Sequence, residues 1–293
     1  MLNFHTLTFL DVKRYEKLIN ENIYLSYFNP KYLFLWKEFL KPEIYFKDNS
    51  VYLRLSNLEL GLNYYSIIHN DYNYVAEIKN ENNILGPILD EEIEYFKKYN
   101  YEVIENKIRN SYLYKPNDFL IYNKKYKSIL RAYEKVNKAS YVKIITREDE
   151  KDIISYAAYI LKEDKDYFKI LLMLKNFFEY LNELDLFGLI LFDKDNYIKG
   201  FICASLFKNT IFIHKIITDD FNDFIYLMNN FSKLYAKFST YINIEEEDIN
   251  IKLKNDGLIK PSFIEKYYMI YNLWKRKFIK IKQKVRQGFY GIH

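Results

Sequence analysis

The sequence predicts an α+β protein, in which mixed and mostly antiparallel sheets are flanked by helices. Short segments with the apolar alternation of strands are interleaved with segments of helical periodicity along the chain. The second half also contains three strand-like segments in a row, joined by short polar turns as in an antiparallel meander. With an apolar fraction of 49% over 293 residues, the chain can build one large core or two domains.

The first half combines short strands with three helices. The first helix is capped by Asp11 and ends near residue 22. The second is indicated by aromatic residues at helical spacing over 32–39. Gly86 and Pro87 are expected to break the chain. The other elements predicted for this half are strands at 3–9, 43–46, 51–55, 64–68 and 101–104 and a helix at 90–98.

The second half contains the meander, at 186–192, 197–206 and 210–217, and a later helix capped by Asp219 or Asp220. Helices, a meander, a helix and a closing strand form the element order of GNAT-type acyltransferases. Further helices are predicted at 122–136, 148–161 and 166–181, and further strands at 141–145, 238–244 and 267–272. The helix at 166–181 is expected to bury Phe168, Leu171, Leu172, Phe178 and Leu181, and the later helix Phe221, Phe224, Ile225, Met228, Phe231 and Tyr235.

The similar element order of the two halves predicts two fused GNAT-like domains. We place them at 1–120 and 121–274, and a basic tail follows at 275–293. The tail contains seven Lys or Arg residues and no acid, so it accounts for the net charge of +5. Such a tail suits the phosphates of RNA or of anionic lipid, and it is equally typical of a solvated terminus.

Composition excludes several kinds of site. Cys203 is the single cysteine and is expected to be buried, so neither a disulfide nor a cysteine-based zinc site can form within the chain. The four histidines are far apart and no HExxH motif occurs, so we expect no metal and no cofactor. Neither a signal peptide nor a run of about 20 apolar residues is found. We therefore expect a cytoplasmic protein, and the basic tail leaves peripheral membrane contact open.

The charge pattern is most unusual near the end of the second half. An acidic block at 245–248 directly follows the strand predicted at 238–244, and a basic run with Lys254 and Lys266 comes next. Open sheets tend to place binding groups at strand ends, so this block indicates a functional site. It is also typical of a solvated helix start, because acidic residues favour the first turn.

Several segments resemble a known family. They are FHTLTFLD near the start, SYFNPKYLFLW at 26–36, SYLYKPNDFL at 111–120, IHKI at 213–216 and the acidic block ending in IKPSFIEKY. Their order and spacing resemble the C-terminal domain of phosphatidylglycerol lysyltransferases, a family that includes free-standing members. The resemblance implies two fused GNAT-like domains and transfer of an amino acid from aminoacyl-tRNA to a lipid hydroxyl. It therefore implies aminoacyl-tRNA and anionic phospholipid as partners.

This chemistry assigns roles to the candidate residues. Aminoacyl transfer needs a base, a donor for the oxyanion, and carboxylates for the ammonium group of the amino acid. His214 is the candidate base, because the unperturbed pKa of histidine lies near neutrality. The catalytic candidates are His214, Lys215 and Asp248, the substrate-binding candidates are Glu245, Glu246, Lys254 and Lys266, and the nucleic-acid-binding candidates are Lys124, Lys125, Lys127 and Arg131. Strand alternation sends His214 and Lys215 to opposite faces of the sheet, so at most one of them can enter a given pocket. A purely structural role for His214 therefore stays open. The basic helix can equally be a solvated face.

Two other functions remain open. An acetyl-CoA-dependent N-acetyltransferase would hold pyrophosphate at the start of the helix after the meander, on a turn that contains glycine. Here that turn, at 217–221, has no glycine, and Asp219 and Asp220 would repel phosphate. The other alternative is a binding or scaffold protein that keeps the tandem fold without catalysis.

Overall fold

The computed structural model describes residues 3–19, 28–47, 50–57, 62–68, 84–88, 93–98, 102–120, 127–245, 249–250, 253 and 259–271. They form the predicted α+β structure of helices with mixed, mostly antiparallel sheets. The helices are α1 (Phe9–Leu18), α2 (Pro30–Leu35), α3 (Lys37–Leu40), α4 (Ile93–Lys98), α5 (Lys127–Asn137), α6 (Glu150–Ile160), α7 (Tyr167–Glu179) and α8 (Phe221–Tyr235). The strands are β1 (His5–Thr6), β2 (Glu43–Lys47), β3 (Ser50–Asn57), β4 (Leu62–Ile68), β5 (Ile84–Ile88), β6 (Glu102–Tyr114), β7 (Ser140–Ile144), β8 (Leu186–Asp193), β9 (Ile198–Phe207), β10 (Thr210–Thr218), β11 (Tyr241–Ile244) and β12 (Phe263–Tyr271).

Helix α1 begins earlier than predicted, because Thr8 and not Asp11 is its N-cap. The Thr8 hydroxyl accepts a hydrogen bond from the Asp11 amide at 3.3 Å, and the Asp11 carboxylate accepts one from the Thr8 amide at 2.8 Å. This reciprocal capping box starts the helix at Phe9. The strand predicted at 3–9 is therefore limited to the two residues of β1.

One compact unit consists of Met1–Ile19, Leu40–Asn110 and Lys266–His293. Its strands are ordered β1-β2-β3-β4-β5-β12, and β4 and β5 are the parallel neighbours. The predicted chain break at Gly86 and Pro87 is wrong, because both residues lie within β5. The pairing of β5 with β12 shifts register between Leu85 and Ile88. A proline, which has no amide donor, is tolerated at such an irregularity.

The second compact unit consists of Asn20–Phe39 and Ser111–Glu265. Its strands are ordered β6-β11-β10-β9-β8-β7, with β10 and β11 parallel. Helix α8 covers one face of this sheet, and α5 packs against α8. Helix α6 packs on β9, where the rings of Tyr156 and Phe201 make an edge contact. The division of the chain into 1–120 and 121–274 stays a prediction.

The helices of the second unit test the predicted apolar faces. In α8, the predicted buried face is confirmed, and Asp220 is the N-cap. In α7, the predicted face is wrong for Phe168 and Leu172, which are exposed. This helix instead turns Ile170, Met173, Leu174, Phe177 and Phe178 inward. It packs against both α6 and α2, so its apolar stripe follows these neighbours.

Two further properties of the described residues bear on the sequence predictions. Cys203 is fully buried, as predicted, and its burial raises the pKa of the thiol well above the usual value. In the part of the chain that the structure describes, no helix combines the length and the apolar character needed to cross a membrane.

Candidate functional site

The candidate site is built around a bulge in β10. Ile213 pairs with Ala204 and Lys215 pairs with Cys203, so His214 is an extra residue on β10. Ile213 and Ile216 both pack in the core beneath α8. Counting outward from each of them places His214 and Lys215 on the opposite face of the sheet. The predicted separation of the two side chains assumed strict alternation, which does not hold here.

His214 is buried in a hydrogen-bonded group on that face. Its Nε2 atom lies 2.8 Å from the Ser205 hydroxyl on β9, and the Asn29 amide donates to the same hydroxyl at 3.5 Å. Among the described residues, His214 Nδ1 has no hydrogen-bond partner. Burial, reinforced by the positive charge of Lys31, lowers the pKa of His214 to about 3. The imidazole is therefore neutral at pH 7 and a weak base.

A second polar group joins the later part of β6 to the end of β11. The Ser111 hydroxyl donates to the Glu245 carboxylate at 3.0 Å and accepts from the Asn243 side-chain amide at 3.1 Å. Ser111 and Asn243 are buried, and Glu245 is partly buried directly after β11. The sheet thus fixes the position of a carboxylate at the end of a strand.

Tyr32 of α2 links these two groups. Its ring centre lies 6.0 Å from that of His214. Burial raises the pKa of Tyr32, and the nearby negative charge of Glu245 raises it further. Lys31 is also buried and donates to the Leu206 carbonyl at 3.2 Å. We call the following residues the β10 polar cluster: Asn29, Lys31, Tyr32, Ser111, Ser205, His214, Lys215, Asn243 and Glu245.

The predicted site residues are located as follows. His214 and Glu245 both lie near Tyr32 in the β10 polar cluster, and Lys215 follows His214 on the same strand face. Glu246, Asp248 and Lys254 lie outside the described residues. Lys266 belongs to β12. Of the predicted nucleic-acid-binding residues, Arg131 is exposed on α5, Lys127 is the first residue of that helix, and Lys124 and Lys125 lie outside the described residues. The roles of all these residues stay predictions.

The residue-by-residue reasoning missed six members of the cluster. Ser205 and Asn243 are ordinary polar residues within strands, and nothing in the sequence distinguishes them. The other four do lie within two segments already singled out, SYFNPKYLFLW and SYLYKPNDFL: they are Asn29, Lys31, Tyr32 and Ser111. The structure brings these segments to IHKI and to the start of the acidic block. Considering the segments jointly would have identified these four residues.

The start of α8 differs from a phosphate-binding turn. The Asp220 side chain accepts from the amides of Asn222 and Asp223 at 2.7 and 2.9 Å. The carboxylate of the preceding residue, Asp219, is bound by Lys199 and by the Tyr156 hydroxyl. The Asp220 carboxylate thus takes backbone amides that a phosphate-binding turn would offer to phosphate. The described residues also contain no group of three His, Cys, Asp or Glu side chains placed to hold a metal ion.

Comparison with solved structures establishes the fold. A protein of unknown function from Bacteroides thetaiotaomicron covers 92% of this chain and 99% of its own at 16% identity, with a TM-score of 0.81. L-PGS from Bacillus licheniformis covers 92% of this chain and 93% of its own at 10% identity, with a TM-score of 0.65. A domain described as the C-terminal domain of a lysylphosphatidylglycerol synthetase from Agrobacterium fabrum covers 95% and 97% at 9% identity, with a TM-score of 0.64.

The chain has the fold of the lysylphosphatidylglycerol synthetase C-terminal domain. FemX is also similar, with a TM-score of 0.63 at 10% identity over 96% of this chain and 100% of its own. The expected GNAT-like acyltransferase fold and the resemblance seen in the sequence are therefore confirmed. No protein-family model matches the sequence, and the curated proteins give no match. At these identities, the likeness concerns the fold alone.

Proposed function

We propose that this protein is an aminoacyltransferase, which moves an amino acid from aminoacyl-tRNA to the hydroxyl of an anionic phospholipid. One observation carries the proposal: four segments distant in sequence bring buried polar side chains to one face of a bulged strand. Burying polar groups costs free energy unless they are paired, so cores seldom collect them without a reason. The shared fold with L-PGS and FemX supports the same reaction class.

Glu245 is the group best placed to hold the ammonium of the donor amino acid. Its carboxylate is oriented by Ser111, lies at a strand end and is only partly buried, so a ligand can reach it. A carboxylate of fixed orientation binds an ammonium through charge-assisted hydrogen bonds. Glu246 and Asp248 follow within three residues. We propose that Glu246 binds the same ammonium group and that Asp248 is the base for the acceptor hydroxyl.

The transfer conserves all its atoms. The acceptor hydroxyl oxygen forms an ester bond with the carbonyl carbon of the amino acid, and the bond from that carbon to the tRNA ribose oxygen breaks. The proton of the acceptor ends on the ribose oxygen. The negative charge that develops on the carbonyl oxygen requires a positive or N–H donor. Lys215 lies beside His214 on the same strand face, and we propose it for this role.

The tRNA and the lipid need basic surfaces outside the cluster. We propose that α5, with Lys127 and the exposed Arg131, contacts tRNA phosphates together with Lys124 and Lys125. Lys254 and Lys266 are proposed to contact phosphate groups of the substrates. The basic tail at 275–293 is proposed to contact anionic lipid.

The proposal is tested with a panel of aminoacyl-tRNAs and phosphatidylglycerol vesicles, by measuring release of free tRNA and formation of aminoacylated lipid. The wild type should convert at least one aminoacyl-tRNA. Glu245→Gln removes the charge without changing the shape and should lower the rate at least about tenfold. Glu163→Gln, at an exposed glutamate, is the matched control and should leave the rate unchanged.

Two results would replace the proposal. If no aminoacyl-tRNA is converted by the folded protein, the binding or scaffold function is favoured. If acetyl-CoA binds saturably and acetylates an amine, the protein is an N-acetyltransferase, contrary to the carboxylates found at the start of α8.

A further inference from the structure

The donor and the acceptor of each hydrogen bond around His214 can be assigned, starting from Asn29 at the beginning of α2. Asn29 is the N-cap of this helix, and its side-chain oxygen accepts from the amides of Lys31 and Tyr32 at 2.9 and 3.4 Å. These two donors fix the orientation of the Asn29 amide, because its nitrogen could not accept from them. The Asn29 nitrogen therefore faces the Ser205 hydroxyl and donates to it.

The Ser205 hydroxyl accepts a hydrogen bond from Asn29 and donates one to His214. Ser205 is fully buried, and its hydroxyl has two side-chain partners among the described residues, Asn29 and His214. Since Asn29 only donates, the acceptor for the Ser205 proton is Nε2 of His214, at 2.8 Å. If Nε2 of His214 instead donated to Ser205, the buried hydroxyl proton of Ser205 would have no acceptor, which folded proteins avoid.

The imidazole of His214 then has a defined tautomer. Because Nε2 accepts, the proton of the neutral ring is on Nδ1. This Nδ1 is buried and has no partner among the described residues. The positive charge of Lys31, which is buried close by, disfavours protonation of the ring to the charged imidazolium. A buried N–H without a partner is costly, so an acceptor supplied by a ligand would stabilise it.

We propose that His214 presents its Nδ1–H as a fixed hydrogen-bond donor to a carbonyl or oxyanion oxygen of the bound ligand, with Ser205 and Asn29 as positioning residues. The assignment of this oxygen to the aminoacyl ester rests on the proposed function; the tautomer does not. The role differs from the general base that the sequence suggested for His214. The Nδ1–H donates a hydrogen bond to the reacting carbonyl oxygen. The ring does not remove a proton from the acceptor hydroxyl, as a general base would.

The tautomer is measured by nitrogen NMR on the full chain with isotope-labelled histidine, using His214→Gln to assign the resonance. We expect a neutral ring protonated at Nδ1 between about pH 5.5 and 8. A ring protonated at Nε2, or one that becomes charged in this range, would overturn the proposal. The variant serves only to assign the resonance, and the tautomer itself is determined from the wild-type spectrum.

The ligand is tested by adding an adenosine that carries an amino acid through a 3′ amide, which mimics the end of aminoacyl-tRNA but cannot react. The Nδ1–H resonance should move downfield as the analogue binds. An unchanged resonance up to the solubility limit of the analogue would overturn the assignment of the ligand. Absence of turnover with any aminoacyl-tRNA would instead overturn the proposed function and leave the tautomer standing, so the two failures are distinguishable.

The positioning role of Ser205 is tested by kinetics and by NMR together. Ser205→Ala removes the hydroxyl that selects the tautomer, so Nε2–H should become populated and kcat should fall roughly tenfold with little change in KM. Ser205→Thr keeps a hydroxyl and should restore both properties. Ser155→Ala, at an exposed serine on α6, is the matched control. A Ser205→Ala protein that keeps the Nδ1–H tautomer would contradict the relay.

Discussion

The neutral burial of His214 makes the stability of the fold depend on pH. The unfolded chain binds a proton at this histidine near pH 6.5, whereas the folded protein resists it until about pH 3. The unfolded state therefore binds more protons below pH 6.5, so this group favours unfolding as pH falls. Lowering the pH from about 7.5 to about 5.5 should reduce the free energy of unfolding by about 1.4 kcal/mol through this residue alone.

Urea denaturation of the wild type and of His214→Gln at the two pH values measures this contribution. Glutamine keeps a polar group beside Ser205 but does not titrate, so the other titrating groups cancel in the comparison. The variant can be less stable at both pH values; the prediction concerns the difference. The wild type should lose about 1.4 kcal/mol more than the variant on acidification. Equal losses in the two proteins would refute the reasoning that His214 stays neutral.

Three other changes have defined outcomes. Gly188→Ala should destabilise the protein by more than about 2 kcal/mol in urea, because a Cβ there would lie 2.0 Å from the Ile202 carbonyl oxygen. Asp220→Ala should cost about 1 kcal/mol in the same assay through loss of the α8 cap. Burial raises the pKa of Asp223 to about 6, so its ionisation progressively destabilises the folded state as pH rises from about 4 to about 6, and the full cost remains above that pH. Asp223→Asn should therefore be more urea-resistant than the wild type near about pH 8 and lose this advantage near about pH 4.

Much of the fold could be predicted from local pattern. The three strands of the meander and helix α8 have strong periodicity and clear turns, and their structural bounds agree with the prediction within one or two residues. Strand β6 was predicted at 101–104 but extends to Tyr114. Its later part is a strand because 112–114 pair with β11, more than a hundred residues away. Such pairing leaves no local signal.

The candidate site could be predicted only in part, for the same reason. His214, Lys215 and Glu245 are visible because charged or titratable residues stand out beside apolar strands. Asn29 and Ser205 act only through contacts between distant segments. The bulge in β10 is equally invisible, because it depends on the register with β9, and it reverses the conclusion about which face Lys215 occupies. Periodicity identifies elements, whereas their convergence is a tertiary property.

The central claim is that the β10 polar cluster binds the aminoacyl end of a charged tRNA. The most direct test is a crystal structure of the protein with the amide-linked aminoacyl-adenosine. We predict that the α-ammonium of the analogue lies within about 3 Å of a Glu245 carboxylate oxygen. An analogue bound elsewhere, with no contact to Glu245, would contradict the account.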